Sequence, residues 1–190
     1  TRHKKSLTKA RSLMQAHSFQ QAADLYAGIL KDNPRHGEAL LNMGKIHMQQ
    51  GQKQEAVTLF KRLMALDSNA LEAGFHLANT LRSSGHNREA EHWYQHLLKR
   101  KPDFAEALYN LANLYKDQGR YDQAHATYQR LLNIWPKFAP GYLNDGFVCE
   151  ELGYLDQALT AYKSALIYDR QNSQAHNNIG NVLQKREKYI

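Results

Sequence analysis

The hydrophobic residues of the chain recur at the spacing of short amphipathic helices, most clearly in residues 105–136. The first stripe of that segment follows the i, i+3, i+4, i+7 pattern of a half-buried helix and consists of Leu108, Leu111, Ala112 and Tyr115. Gly119 predicts the end of this helix, because glycine adopts the left-handed conformation of a helix C-terminus without steric cost. A second stripe consists of Ala124, Tyr128, Leu131 and Leu132, and Pro136 follows it. Neither helix is long enough to be stable alone, so the segment predicts a hairpin that packs against neighbours.

This hairpin pattern recurs every 34 residues without insertion or deletion. The second helix repeats an alanine at Ala22, Ala56, Ala90, Ala124 and Ala158, and a large ring at Tyr26, Phe60, Tyr94, Tyr128 and Tyr162. The first helix repeats a small residue at Ala10, Gly44, Ala78, Ala112, Gly146 and Gly180. The break glycine recurs as Gly51, Gly85, Gly119 and Gly153, and His17 takes its place in the first copy. Small residues at these positions let the paired helices approach closely, and the large rings fill the space beside them.

A 34-residue helix–turn–helix period with these residues resembles the tetratricopeptide repeat (TPR) family. The resemblance implies an all-α fold, a right-handed TPR superhelical solenoid whose first helices face a concave groove. The predicted repeats are 3–36, 37–70, 71–104, 105–138 and 139–172, and residues 173–190 supply the first helix of a sixth. We therefore expect residues 1–190 to form a single TPR solenoid without an internal domain boundary. Ile179 and Leu183 keep their apolar character, which predicts that the natural protein continues past Ile190.

Composition and charge narrow the class of protein. No apolar run reaches the 18 residues that a membrane span requires, so we expect no direct membrane insertion of this segment. Cys149 is the only cysteine, which excludes an internal disulfide. The net charge is +7, and residues 1–36 contribute +5 of it, from seven Lys/Arg against two acids. This basic segment could contact an acidic partner, a nucleic acid or a membrane face, but a solvated terminal helix is the favoured interpretation, because capping helices are polar.

Three rows of side chains on the predicted first helices form the candidate binding surface. The apolar row is Leu41, Phe75, Tyr109 and Leu143. The amide row, one residue later, is Asn42, His76, Asn110, Asn144 and Asn178. A third row, three residues further on, is Lys45, Asn79, Asn113, Phe147 and Asn181. Because an asparagine side chain both donates and accepts hydrogen bonds, the amides suit the backbone of an extended peptide, and the apolar row suits its alternate side chains.

The segments ALYNLANLYKDQG and AHNNIGNVLQ are similar to the repeat arm of the O-linked N-acetylglucosamine transferases and related bacterial TPR proteins. That resemblance implies that inner asparagines hold the backbone of a bound polypeptide. The matching positions are Asn42, Asn110, Asn144 and Asn178, with Asn79, Asn113 and Asn181 behind them. His76 and Phe147 depart from the pattern and interrupt the ladder. The alternative interpretation is that asparagine is a tolerated polar residue on a solvated helix face.

Other candidate chemistry is sparse, and we predict no metal site and no cofactor. His92 and His96 have the i, i+4 spacing of a metal pair but lack a third ligand, so they are predicted to be surface histidines. Cys149 replaces the Tyr115 of the preceding repeat and is predicted to be a small buried residue. Asp145 occupies a core position, where an unpaired carboxylate would be costly, so it is predicted to pair with His176 or to mark a polar pocket.

The predicted function is a non-enzymatic protein–protein interaction module that binds an extended peptide or protein segment in its concave groove. Two alternatives remain open, namely the TPR arm of a larger glycosyl- or sulfotransferase with its catalytic domain elsewhere, and a scaffold in the assembly of a membrane or secretory complex. Nucleic acid is not an expected partner, because the predicted groove carries both signs of charge, as at Lys116 and Asp117. The identity of the partner and the oligomeric state stay open, as does the compartment, with the cytoplasm favoured.

Overall fold

The computed structural model describes residues 3–187 and has eleven α-helices in that range. The first helices of the hairpins are α1 (Lys4–Gln15), α3 (Gly37–Gln49), α5 (Leu71–Ser83), α7 (Ala105–Asp117), α9 (Ala139–Glu151) and α11 (Ser173–Glu187). The second helices are α2 (Phe19–Asp32), α4 (Lys53–Leu66), α6 (Asn87–Arg100), α8 (Tyr121–Ile134) and α10 (Leu155–Tyr168). The helix–turn–helix period predicted from the sequence is therefore present, and residues 188–190 of the predicted last helix lie outside the described residues.

The break position ends the first helix of each hairpin with a left-handed residue. Gly51, Gly85, Gly119 and Gly153 have φ between 71° and 79°, and His17 has φ 56°. At α7 the amide of Gly119 donates to the carbonyl of Lys116 at 3.0 Å, and the amide of Arg120 donates to the carbonyl of Tyr115 at 2.9 Å. This pair of hydrogen bonds is the Schellman motif, which satisfies carbonyls that the end of a helix leaves without intrahelical donors.

The described chain forms two compact units, one ending at Trp93 and the other beginning at Tyr94, so the division falls within α6. In the first unit the helices from α1 to α5 pack in sequence order, and α3 also contacts α5. In the second unit the helices from α7 to α11 pack in sequence order, and α9 also contacts α7 and α11. The first helices α3 and α5 are therefore neighbours in the first unit, and α9 is a neighbour of both α7 and α11 in the second. No helix within residues 3–187 combines the length and the apolar character needed to cross a membrane.

The repeating alanine and aromatic positions form the core of each hairpin. All of them are fully buried, namely Ala22, Ala56, Ala90, Ala124 and Ala158, and Tyr26, Phe60, Tyr94, Tyr128 and Tyr162. A Cβ atom added to Gly146 would lie 2.6 Å from Cε1 of Tyr162, and one added to Gly44 would lie 2.5 Å from Cε1 of Phe60. These distances are below van der Waals contact, so glycine at these two positions permits the close approach of the first helix to the ring.

Candidate functional site

In the first unit, the row residues of α3 and α5 are connected through one carboxylate. Nζ of Lys45 lies 2.8 Å from Oε1 of Glu72, and Nε2 of His76 lies 3.7 Å from the same oxygen. The ring of His76 also stacks on Phe60, with 5.7 Å between centroids. Burial lowers the pKa of His76, and the nearby Lys45 ammonium lowers it further. His76 is therefore a neutral, ring-stacked side chain at neutral pH, which explains how a histidine fits in a row of amides.

The other row residues of the first unit are half-buried, namely Leu41, Asn42, Phe75 and Asn79. Nδ2 of Asn42 donates to the carbonyl of Glu38 at 3.0 Å, one turn earlier on its own helix. This bond uses one amide hydrogen of Asn42 and holds the carboxamide against α3.

In the second unit, the amides of α7 and α9 bind to each other across the helix pair. Nδ2 of Asn144 donates to Oδ1 of Asn113 at 3.1 Å and lies 3.3 Å from the hydroxyl oxygen of Tyr109. Oδ1 of Asn113 also accepts from the Tyr128 hydroxyl at 2.5 Å, and Oδ1 of Asn144 accepts from Nζ of Lys116 at 3.3 Å. Asn113 is only 9% exposed, so its oxygen is occupied within the protein. The network fixes the orientation of Asn144 and links α7, α8 and α9 through side chains.

The remaining row residues of the second unit differ in their exposure. The Tyr109 ring packs edge-on against Phe138 with 5.0 Å between centroids, and Leu143 packs against the buried cluster of α9, α10 and α11. Asn178 forms a side-chain hydrogen bond with Tyr162. Asn110 is half-buried, whereas Asn181 is exposed. A separate exposed ring is Phe147, which is 38% exposed and has Nζ of Lys116 5.9 Å from its centroid.

A polar cleft of about 500 Å³ lies among α8, α9 and α10. Asp145 is 2% exposed within it, and His125 Nδ1 lies 2.8 Å from its Oδ1. Nε2 of Gln129 donates to the other carboxylate oxygen at 2.7 Å. Sγ of Cys149 lies 3.5 Å from Nδ1 of His125 and 4.0 Å from Oε1 of Gln157. The cleft therefore gathers a carboxylate, an imidazole, a thiol and two amides.

The predicted pairing of Asp145 with His176 is wrong. The carboxylate faces α8, where it meets His125 and Gln129, while Nε2 of His176 lies 3.1 Å from the carbonyl oxygen of Arg170. The second expectation for Asp145, a polar pocket, is confirmed. The difference arises because the side chain of Asp145 on α9 faces α8 of the preceding hairpin and not α11 of the next one.

Burial dominates the electrostatics of the cleft. It raises the pKa of Asp145, and the hydrogen bonds from His125 and Gln129 oppose that rise. Burial and the Asp145 charge together raise the pKa of the Cys149 thiol to about 12. Cys149 is 1% exposed, which confirms its prediction as a buried residue. Its thiol is accordingly protonated at neutral pH and is not an activated nucleophile.

The sequence contains a signal for this cleft in the comparison of corresponding repeat positions. In the 34-residue register, the His125 position holds Ala23, Val57 and Leu159 in three other repeats and Glu91 in the fourth, and Asp145 replaces Leu77 and Leu111. Two departures from apolar residues in consecutive helices indicate a shared polar site. Of the two histidines predicted to lie on the surface, His92 is exposed and His96 is half-buried.

Solved structures similar to this chain are TPR proteins or share their fold. A crystal structure of MamA is 26% identical, with a TM-score of 0.81 over 87% of this chain and 96% of that chain. A tetratricopeptide repeat protein from Parabacteroides merdae is 17% identical, with a TM-score of 0.84 over 98% of this chain and 74% of that chain. YrrB, described as a TPR protein with an unusual peptide-binding site, is 16% identical, with a TM-score of 0.80 over 90% of this chain and 89% of that chain.

Family profiles cover most of the sequence. No curated protein matches the chain. The profile described as "Tetratricopeptide repeat" matches residues 7–70 and 75–141, and a profile described as "TPR repeat" matches residues 146–186. The predicted all-α TPR solenoid class is thereby confirmed, and with it the fold of a protein-interaction module. The chain belongs to the tetratricopeptide repeat family.

Proposed function

We propose that this chain binds an extended segment of a partner protein along its first helices. The proposed contact surface, which we name the first-helix surface, lies within the second unit and consists of Tyr109, Asn110, Leu143, Asn144, Asn178 and Asn181, with Phe147 beside them and the buried Asn113 behind them. The corresponding rows of the first unit consist of Leu41, Asn42, Phe75, His76 and Asn79. A strand-like segment would offer backbone donors and acceptors to the amides and alternate side chains to the apolar row.

The observation that carries the proposal is the fixed carboxamide of Asn144. Its hydrogen bonds to Asn113, Tyr109 and Lys116 hold the side chain in one orientation before any ligand arrives. They use both amide hydrogens, so Asn144 offers a bound backbone the second lone pair of its Oδ1. Binding to a preorganised group loses less side-chain entropy than binding to a mobile one, which favours affinity. Asn178, on the next first helix α11, is similarly held by Tyr162 of α10.

Phe147 adds an apolar contact to this amide surface. Its ring is 38% exposed and is flanked by Lys116 and by Tyr121, whose centroid lies 6.4 Å away. Covering the exposed part of such a ring contributes roughly 1 kcal/mol, because full burial of a phenylalanine side chain contributes about 1.5–3 kcal/mol. Phe147 would thus anchor one apolar side chain of the bound segment.

The internal bonds of Asn144 determine which substitutions test the proposal. Removing its carboxamide would break its hydrogen bonds with Asn113 and Lys116, so Asn144→Ala should also lower stability by about 1 kcal/mol. Asn181 and Phe147 are exposed and are the cleaner choices. A matched control is Asn133→Ala, which removes an exposed asparagine from the second helix α8.

The test begins with selection of binders from a phage-displayed library of unstructured peptides, followed by titration of a selected peptide by fluorescence anisotropy. We expect Phe147→Ala and Asn181→Ala each to weaken binding about 5- to 10-fold, equivalent to roughly 1–1.4 kcal/mol. Asn133→Ala should bind as the unaltered chain does. The thermal unfolding midpoints of all three variants should equal that of the unaltered chain. Peptides that bind both altered surfaces with unchanged affinity, or a library without binders, would refute the proposal.

A further inference from the structure

Three side chains that commonly bind metals converge in the cleft among α8, α9 and α10. Asp145 and Cys149 are four residues apart on α9 and therefore lie on the same helix face, and His125 reaches them from α8. One ligand atom from each of the three lies within 4.8 Å of the others. The cluster thus combines nitrogen, oxygen and sulfur donors from two packed helices.

The two separations that involve His125 Nδ1 lie close to those around a tetrahedral ion. Bond lengths of about 2.0–2.3 Å to zinc place a nitrogen and a sulfur ligand about 3.6 Å apart, and a nitrogen and an oxygen ligand about 3.3 Å apart. The observed distance from His125 Nδ1 to Cys149 Sγ is 3.5 Å. The distance from His125 Nδ1 to Asp145 Oδ1 is 2.8 Å, as expected for a hydrogen bond, and an ion that replaced the bond would need to widen it by about 0.5 Å.

The surroundings of the cluster match the supporting groups of a metal site. Gln129 donates to the second oxygen of Asp145 at 2.7 Å and so orients the carboxylate, as outer-shell partners of metal ligands do. The buried carboxylate has the 26% exposed His125 as a hydrogen-bond partner, and a divalent cation would supply a full countercharge for the carboxylate and a thiolate. The cleft is lined further by Tyr142, Asp156, Gln157, Thr160 and Ser164, which leave a side of the cluster open.

We propose that His125, Asp145 and Cys149 bind a divalent transition metal ion of the Zn²⁺ class, with a fourth coordination position open to the cleft. Mixed nitrogen, oxygen and sulfur ligands favour Zn²⁺ over Mg²⁺ or Ca²⁺, which prefer oxygen ligands. Binding replaces the thiol proton of Cys149, which passes to water, and forms the metal–sulfur bond. Three protein ligands with one open position is the arrangement of a site that takes a water molecule or a group from a partner.

The test uses Co²⁺ and Zn²⁺ chloride with the unaltered chain and three variants. We expect one equivalent of Co²⁺ to produce tetrahedral visible absorption and a near-ultraviolet sulfur-to-cobalt charge-transfer band, and Zn²⁺ to displace it. Cys149→Ser should remove the charge-transfer band and weaken Zn²⁺ binding at least about 100-fold, since even outer-shell changes weaken metal binding 10- to 100-fold. His125→Gln should also weaken it, whereas His92→Gln, on the exposed face of α6, should not.

A further measurement on the unaltered chain does not depend on the folding of any variant. Zn²⁺ should raise its thermal midpoint in a concentration-dependent way, because an ion that binds only the folded state stabilises that state. Co²⁺ absorption without a sulfur band, equal Zn²⁺ affinity in Cys149→Ser, or a thermal midpoint insensitive to Zn²⁺ would each overturn the proposal.

Discussion

Replacing Gly146 by alanine tests the close packing of a first helix against its hairpin partner. The added Cβ atom would lie 2.6 Å from Cε1 and 2.7 Å from Cδ1 of Tyr162. That ring is fully buried, and its hydroxyl donates to Oε2 of Glu150 at 3.0 Å. Both the packing and this hydrogen bond therefore oppose a shift of the ring. To bring the contact from 2.6 Å to an ordinary 3.4 Å, the ring or α9 must move by 0.8 Å. We expect this strain to destabilise the pair formed by α9 and α10.

The size of the effect follows from a matched pair of glycines. Gly180 occupies the same register position on α11, but no heavy atom lies within 4 Å of an added Cβ. Both substitutions gain about 1 kcal/mol of helix propensity, because alanine is preferred to glycine within a helix. Only Gly146→Ala also incurs overpacking, which costs about 1–3 kcal/mol. Gly180→Ala should therefore exceed Gly146→Ala in the free energy of unfolding by about 1–3 kcal/mol.

The assay is thermal and urea unfolding of both variants, followed by circular dichroism. For a chain of this size, each kcal/mol shifts the thermal midpoint by about 2–4 °C, so the midpoints should differ by several degrees. Hydrogen exchange should show faster amide exchange in α9 and α10 of Gly146→Ala. If Gly146→Ala gains as much stability as Gly180→Ala, the steric argument is refuted. Gly44→Ala against Phe60, with a contact of 2.5 Å, provides an independent repeat of the test.

Two further predictions concern the first hairpins. His17→Gly should raise the thermal midpoint. His17 has φ 56°, and this left-handed conformation costs a non-glycine residue about 1 kcal/mol. A lower midpoint would contradict this. The bidentate hydrogen bond from Arg11 lowers the pKa of Glu38 below its ordinary value of about 4.3. The stabilisation by this pair is therefore fully present above the ordinary glutamate pKa and is lost as the pH falls through the lower pKa of the folded state. Arg11→Met should lower the midpoint measured at pH 7 but not in acid that protonates Glu38, and an equal difference at both would contradict the reasoning.

The fold could be predicted from the sequence because each hairpin is determined by local signals that repeat. The apolar stripes, the break glycines and the alanine–aromatic positions act within one hairpin or against the next, and they recur at one period. The buried rings from Tyr26 to Tyr162 and the left-handed glycines confirm that assignment. The repeat pattern also predicts Gly146 as a small residue that permits close packing, and the closeness of the Tyr162 ring is the physical reason.

The partners of polar side chains were decided only by the tertiary structure. The sequence placed Asn113 and Asn144 in two different rows, but the packing of α7 against α9 brings them to 3.1 Å of each other. It likewise placed Asp145 in the core without identifying His125, which is twenty positions away along the chain. The spacing of apolar residues specifies which face of a helix is buried. A hydrogen bond between two helices also requires that the donor and acceptor atoms be placed to within a fraction of an ångström, which depends on the rotation and separation of the two helices. Those values follow from the packing of the whole hairpin, which no single repeat of the sequence encodes.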